Sequence, residues 1–141
     1  MKYSTKYSDA IHILAYIHLF KGTDLSSDRI AQSVATNPAY VRRIMSDLKG
    51  TGLIDSQRGR PNPTLTRKPK DISLLDIYDS VEKDQHLLHT DKKTNPNCLI
   101  GGNIQTVLED TYVLLQQKIA AEMATISLQS IIEDIQARSI T

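Results

Sequence analysis

Positively charged side chains are concentrated in one stretch of the chain, between residues 37 and 70. Arg42 and Arg43 follow Asn37 and Pro38, a pair that predicts a helix start, since Asn caps the first turn and Pro is tolerated at the first helical position. An arginine near such a start can hold guanine O6 and N7 with two hydrogen bonds. We interpret this helix start as a base-reading surface formed by Asn37, Ala39, Tyr40, Arg42 and Arg43.

A second group of cations follows in a segment rich in proline. Residues 53–57 and 64–66 read as two short strands, and residues 58–63 read as the tip of the hairpin that joins them. Such a hairpin is a wing, whose cations can contact phosphates or enter the minor groove. The wing cations are Arg58, Arg60, Arg67 and Lys68. Pro61 and Pro63 would stiffen the tip and lower the entropy lost on binding.

The elements that must position these cations can be read from apolar spacing and helix caps. A first helix starts at Ser8 or Asp9 and ends near Gly22, and a second is capped by Ser26 or Ser27. After the wing come a helix over residues 73–81, a polar loop, a long helix over 104–124 and a final helix after Ser127. The predicted fold class is mainly α with a small β wing, a winged helix-turn-helix followed by a long C-terminal helix.

Charge is divided unevenly along the 141 residues, although the net charge is only +1. Residues 1–70 carry 12 Lys and Arg against 5 Asp and Glu, whereas residues 71–141 carry 5 against 11. A basic half joined to an acidic half favours a polyanionic partner for the first half. The longest apolar stretch, residues 11–20, is too short to span a bilayer, and the N-terminus has no signal core. We therefore expect a cytoplasmic protein with no membrane partner.

The single cysteine, Cys98, excludes an internal disulfide framework and a multi-cysteine zinc site. It precedes the predicted long helix, whose N-terminus, with Lys92 and Lys93, would lower the pKa of the thiol. Cys98 is therefore a candidate redox sensor; the alternative is a small buried apolar residue.

The histidine pair and the acidic pairs are the remaining candidates for metal binding or catalysis. His86 and His89 could bind a metal, but exposed loop histidines are the favoured interpretation because no further ligand stands at a usual spacing. No catalytic arrangement of nucleophile and base is recognisable, and the acidic pairs read as solvated helix faces. We expect no enzymatic activity.

Several motifs together resemble one family. They are Met1-Lys2-Tyr3-Ser4-Thr5-Lys6, Ile30-Ala31, Tyr40-Val41 with Leu48, Gly52-Leu53-Ile54, Ser56 with Arg58-Gly59, Asp71-Ile72-Ser73-Leu74-Leu75-Asp76-Ile77, Cys98-Leu99-Ile100 and Ser127-Leu128. The combination resembles the Rrf-two family of bacterial winged helix-turn-helix transcription regulators, which includes the iron–sulphur cluster regulator, the nitric-oxide-sensing repressor and the cysteine-metabolism repressor.

The resemblance implies a homodimer on a palindromic operator in double-stranded DNA, with a long helix from about residue 103 to 123 crossing its twin. The expected dimer residues are Ile104, Val107, Leu108, Leu114 and Leu115. It divides the chain into a DNA-binding domain (1–82), a sensor loop (83–102) and dimerisation helices (103–141).

The chain departs from the family pattern at two places. The wing tip has Pro61-Asn62-Pro63 where the family usually carries a glycine pair, so its minor-groove contacts should differ. Cluster-binding members use three cysteines before the long helix, whereas this chain has only Cys98. We therefore expect no iron–sulphur cluster and no other cofactor or metal.

The sequence thus predicts a dimeric, sequence-specific transcription regulator that represses by blocking a promoter and responds to redox state through Cys98. Two alternatives stay open. One is a winged-helix module for protein interaction, and the other is a regulator controlled by a small-molecule or protein effector that the sequence does not identify.

Overall fold

The architecture comes from a computed structural model that describes residues 4–57 and 62–139. This described part contains six α-helices, one antiparallel pair of strands and one 3₁₀ turn at Pro69–Asp71. The elements are α1 (Lys6–Leu19), α2 (Ser27–Val34), α3 (Pro38–Gly50), β1 (Ile54–Asp55), β2 (Thr64–Leu65), α4 (Leu74–Val81), α5 (Ile104–Met123) and α6 (Leu128–Arg138). A mainly α fold with a small β wing is therefore confirmed.

Most helices begin where a short polar side chain can satisfy a free backbone N–H group. Ser26, Asn37, Ser73 and Ser127 cap α2, α3, α4 and α6 in this way. The first helix differs from its prediction, because α1 begins at Lys6 and not at Ser8 or Asp9. Its N-cap is Thr5, whose hydroxyl donates a hydrogen bond to the Asp9 carboxylate at 3.2 Å, so Asp9 lies inside the first turn.

The core lies where α1, α3 and α4 meet, with α2 packed across one side. Ile13, Leu14, Ile44, Leu48 and Ile77 are completely buried there. Their spacing along each helix places one apolar stripe inward and leaves the opposite stripe in solvent. The core therefore fixes which side of α3 faces outward.

The last helix returns to this core. Leu128 and Ile132 of α6 are buried in it, and two backbone hydrogen bonds of 2.8 Å hold the approach to α6 beside the start of α4. These bonds run from the Leu74 N–H to the Ile126 carbonyl and from the Leu128 N–H to the Ile72 carbonyl. The expected division at residue 103 groups α6 with α5, whereas the packing joins α6 to the N-terminal helices.

The wing is shorter than its prediction and is fastened at its base. Its strands pair through Ile54 with Leu65 and Asp55 with Thr64. The side-chain oxygen of Asn62 accepts a hydrogen bond from the Leu25 N–H at 3.1 Å, which joins the returning arm of the wing to the connection between α1 and α2. The orientation of the wing relative to α3 is therefore set by side chains as well as by the strands.

The long helix α5 stands apart from this core. None of its 20 residues, all of them described, is buried. It touches α4 through Gln116, whose amide donates a hydrogen bond to the Tyr78 hydroxyl at 3.3 Å. Among the described residues, no helix is long and apolar enough to cross a membrane.

Candidate nucleic-acid interface

The N-terminal half of α3 presents the predicted base-reading residues at the surface. Val41, Ile44 and Leu48 are buried, and this orients the helix so that Arg42 and Arg43 are exposed. Asn37 and Ala39 are exposed too, although Asn37 uses its side-chain oxygen to accept a hydrogen bond from the Tyr40 N–H at 2.8 Å. The free surface of this half helix is therefore small, polar and cationic.

Tyr40, one of the predicted base-reading residues, uses its hydroxyl and its ring in contacts within the protein. It is half-buried, and its hydroxyl donates a hydrogen bond to the Asp9 carboxylate of α1 at 2.8 Å. Burial, and then this hydrogen bond, raise the pKa of Tyr40. The guanidinium of Arg43 lies 5.9 Å from the centre of the Tyr40 ring, within the range of a cation–π contact. Tyr40 thus positions both the start of α3 and one of its two arginines.

Two lysines fix the rest of α3. Lys6 of α1 forms an ion pair with Asp47 at 2.7 Å. Lys49 donates a hydrogen bond to the Ser56 carbonyl, also at 2.7 Å, and so ties the end of α3 to the first arm of the wing. Neither contact was predicted from the sequence, because each joins residues on different elements.

The four wing cations fall into different settings. Arg58 and Arg60 lie outside the described residues. Arg67 donates hydrogen bonds to the Asp71 carbonyl at 3.1 Å and to the Asp76 carboxylate at 3.4 Å, so it also braces the start of α4. Lys68 is exposed and is the wing cation whose side chain is most available to a phosphate among those described. Asn62 was not singled out for a structural role, since its partner Leu25 is 37 residues away.

Cys98 is an exposed free thiol in a tight turn before α5. Hydrogen bonds from the backbone N–H groups of Gly101 and Ile100 lower its pKa. The direction agrees with the sequence argument, but the cause differs: α5 begins only at Ile104, and the nearby lysines do not contribute. A Cβ at Gly101 would collide with the Asn95 carbonyl oxygen, so the turn requires glycine there.

The histidines of the loop pair with one carboxylate. His86 Nδ1 lies 2.9 Å and His89 Nε2 lies 3.8 Å from the oxygens of Asp84. Hydrogen bonds from His86 are the main reason that the pKa of Asp84 is lowered. Within residues 4–57 and 62–139, no three His, Cys, Asp or Glu side chains converge in a way that could hold a metal ion.

The expected dimer residues lie on α5 as a partly exposed stripe. Val107 and Leu114, seven residues apart, are 58% and 53% exposed, and Leu115 is also exposed. Ile104 and Leu108 are half-buried at the edge of the same stripe. Leu99 and Ile100 extend this apolar surface to the turn that holds Cys98.

The Rrf2 family, described as iron-dependent transcriptional regulators, matches residues 3–134. The chain belongs to the Rrf2 family. This is the Rrf-two family that the motifs resemble, and its members are transcriptional regulators and not enzymes. The donor set does not fit the three-cysteine iron cluster of the resemblance, since Cys98 is the single cysteine of the chain.

Individual similar proteins include one curated relative and two solved structures. YwnA of Bacillus subtilis, named as an HTH-type transcriptional regulator, is 39% identical over 89% of this chain and 93% of its own length. A crystal structure described as that of a DNA-binding protein is 38% identical with a TM-score of 0.74, covering 90% of this chain and 98% of the other. The T. potens IscR structure, 22% identical with a TM-score of 0.68, covers 96% of this chain and 88% of its own and shares the winged-helix architecture.

Proposed function

We propose that this Rrf2 protein is a homodimeric, sequence-specific DNA-binding repressor. The observation that carries the proposal is the start of α3, where Arg42 and Arg43 are exposed on a helix held in place by core packing, Tyr40 and Lys6. A helix presented in this way fits the major groove, where an arginine can discriminate guanine.

The wing would supply contacts that depend less on sequence. Lys68 is exposed beside β2, and Arg58 and Arg60 belong to the tip by sequence. Cations in a wing hold the sugar–phosphate backbone or enter the minor groove, and such contacts fix the register of the reading helix. The expected division of labour is base reading by α3 and phosphate contact by the wing.

Dimerisation is supported by the apolar stripe on α5. Val107 and Leu114 lie seven residues apart, which is the repeat of a helix that packs against another helix. Two copies related by a twofold axis would present two α3 helices to successive major grooves, about 34 Å apart on a palindromic operator. Occupation of such an operator blocks a promoter by occlusion.

The exposed Cys98 thiol supports a redox response. A lowered pKa increases the fraction of thiolate, and thiolate is the form that attacks hydrogen peroxide to give a sulfenic acid while the peroxide is reduced to water. Cys98 lies next to Leu99 and Ile100, at one end of the apolar stripe, so oxidation there would act on the dimer contact.

The test of DNA reading is fluorescence anisotropy with the duplex upstream of the gene of this protein and a scrambled duplex of equal length. We expect the upstream duplex to bind at least tenfold more tightly, and Arg42→Ala to reduce that preference by about 1–3 kcal/mol. Lys83→Ala, which removes an exposed cation from the acidic half of the chain, is the control and should bind like the unaltered chain. Equal affinity for the two duplexes would refute sequence-specific reading.

The test of the redox response repeats the titration after mild treatment with hydrogen peroxide. Release of the upstream duplex by peroxide, absent in Cys98→Ser, is the expected result. If the oxidised and reduced proteins bind alike, Cys98 has no part in regulation, while the DNA-binding proposal stands.

A further inference from the structure

A large cavity lies between α4, the loop that follows it and α5. Its volume is about 950 Å³, at the upper end of the range for small-molecule sites. The apolar and aromatic part of its lining consists of Leu75 and Tyr78 of α4, Leu88 of the loop, and Tyr112, Val113 and Ala120 of α5. The cavity therefore has walls from both the N-terminal core and the long helix.

The charged groups around the cavity are mostly negative. Asp79, Asp84 and Glu109 line it, against Lys92 as the single lysine or arginine of the lining and the histidines His86 and His89, which both lie beside Asp84. Asp79 accepts a hydrogen bond from Gln85 at 3.0 Å, and Asp84 is paired with His86. Within the described part of the chain, Glu109 makes no hydrogen bond or ion pair, so its carboxylate is available to a ligand.

The rings of Tyr78 and Tyr112 also favour a cation in the cavity. The face of an aromatic ring carries negative electrostatic potential and attracts a cation within about 6 Å. Burial raises the pKa of Tyr78, the hydrogen bond from Gln116 lowers it, and the nearby carboxylates of Glu82, Asp84 and Asp79 raise it again. Two of these carboxylates, Asp79 and Asp84, line the cavity together with Tyr78. Carboxylates and ring faces thus favour the same kind of ligand.

We propose that this cavity binds a small organic cation whose apolar body packs against Tyr78, Tyr112 and Val113 and whose charge is neutralised by Glu109. The cavity is large enough for either a flexible or a branched molecule. An anion would be disfavoured, because three carboxylates line the cavity. Chemical recognition by the cavity does not depend on DNA binding.

The effect of ligand binding would be transmitted to the proposed DNA-binding surface through α4. The cavity separates α4 from α5, and the Gln116 amide and the Tyr78 hydroxyl are the hydrogen-bonded link between the two helices at its wall. A molecule inserted there changes the angle between the core that holds α3 and the helix that carries the dimer stripe. This regulatory consequence rests on the proposed function.

The test is isothermal titration calorimetry of the full chain in sodium buffer with tetraphenylphosphonium, an organic cation, and with tetraphenylborate, an anion of nearly the same shape. We expect saturable binding of the cation with one site per chain and at least tenfold weaker binding of the anion. Glu109→Gln should weaken the cation about fivefold, the upper value for an exposed ion pair. Glu122→Gln is the control, because Glu122 is exposed on the same helix and does not line the cavity.

Equal binding of the two probes, equal effects of the two variants, or no binding of the cation would each overturn the proposal. Anisotropy with the upstream duplex, measured on the same samples, separates this outcome from failure of the proposed function. A chain that reads DNA but ignores tetraphenylphosphonium has no cation site, and a chain that binds the cation without selecting DNA retains the site but is not the repressor proposed above.

Discussion

Arg42 and Arg43 are neighbours on the exposed side of α3, but their surroundings differ. Arg43 lies against the Tyr40 ring, which restricts its side chain, whereas Arg42 has no such ring contact among the described residues. A restricted side chain loses less conformational entropy when it binds. Arg43 is therefore better prepared for a fixed contact, whereas Arg42 would be freer to adapt to a base in the proposed complex.

Replacement of Tyr40 by Phe separates the two roles of that residue. The ring and its contact with Arg43 remain, but the hydrogen bond to Asp9 is lost, so we expect a decrease of about 1 kcal/mol in the free energy of unfolding. Operator affinity should change less than twofold. Urea unfolding and anisotropy measure these two effects.

Tyr16→Phe is the control, because Tyr16 stacks on Phe20 and its hydroxyl has no hydrogen bond within the described residues. A large loss of operator preference in Tyr40→Phe, with unchanged stability, would show that the hydroxyl reads a base.

The lowered pKa of Cys98 predicts a shift in the pH dependence of its alkylation. Thiolate is the reactive form, so the reaction with iodoacetamide rises as pH passes through the pKa. Because the N–H groups of Gly101 and Ile100 lower the pKa in the folded chain, the midpoint should lie at lower pH than in the urea-unfolded chain. Gly101→Ala should move the midpoint back upward by disturbing the turn. Identical midpoints in the folded and unfolded chains would contradict this account.

At the scale of elements, the starts of α2, α3, α4 and α6 could be predicted because each depends on one residue and the turn after it. The capping box of α4 illustrates this. Ser73 Oγ accepts a hydrogen bond from the Asp76 N–H at 3.0 Å, and Asp76 accepts one from the Ser73 N–H at 2.9 Å. The contacts that fix the angles between elements could not be predicted, because Asn62 with Leu25 and Arg67 with Asp76 are pairs chosen by the fold and not by local sequence.

The capping box gives a stability prediction. Ser73→Ala removes the acceptor for the Asp76 N–H, and we expect it to lower the free energy of unfolding by about 1 kcal/mol. Urea unfolding at one fixed protein concentration measures the effect. Ser46→Ala, at an exposed position within α3, is the comparison and should leave stability unchanged or slightly higher. Equal stability of the two variants would contradict the role of the cap.

The apolar stripe of α5 gives a prediction about assembly. Leu114→Asp places a charge in the proposed contact between subunits, and burying an unpaired carboxylate is strongly unfavourable, so the variant should be monomeric. Sedimentation equilibrium measures the mass. Thr106→Asp carries the same charge at an exposed position roughly 80° further around the helix and should remain dimeric. An unchanged mass for Leu114→Asp would remove Leu114 from the interface.

At the scale of the whole molecule, the separation of charge along the sequence corresponds to the separation of the proposed functions. The basic first half forms α3 and the wing, while α5 and the cavity belong to the acidic second half. The net negative second half repels phosphate, so it disfavours binding of DNA through that part of the chain. The division of charge could be predicted from the sequence. The position of the cavity could not, because it depends on how α5 packs beside α4.

This division predicts a steep dependence of DNA affinity on salt. The logarithm of the association constant should fall linearly with the logarithm of salt concentration, by about 0.9 for each phosphate neutralised. In the proposed dimer, Lys68→Ala would remove two phosphate contacts, so the slope should become shallower by about 2. Lys83→Ala, in the acidic half, should leave the slope unchanged. A slope near zero for the unaltered chain would favour the protein-interaction module.

The return of α6 also has a consequence for synthesis on the ribosome. Leu128 and Ile132 complete the core around Ile72 and Ile77, yet they are translated after α5. A nascent chain that has emerged only as far as the wing lacks both α4, which packs on α3, and α6, so its hydrophobic core is incomplete. The core is therefore complete only after the helix proposed for pairing has been synthesised. We expect a chain truncated before α6 to be less stable than the full chain, because Leu128 and Ile132 are then missing from the core.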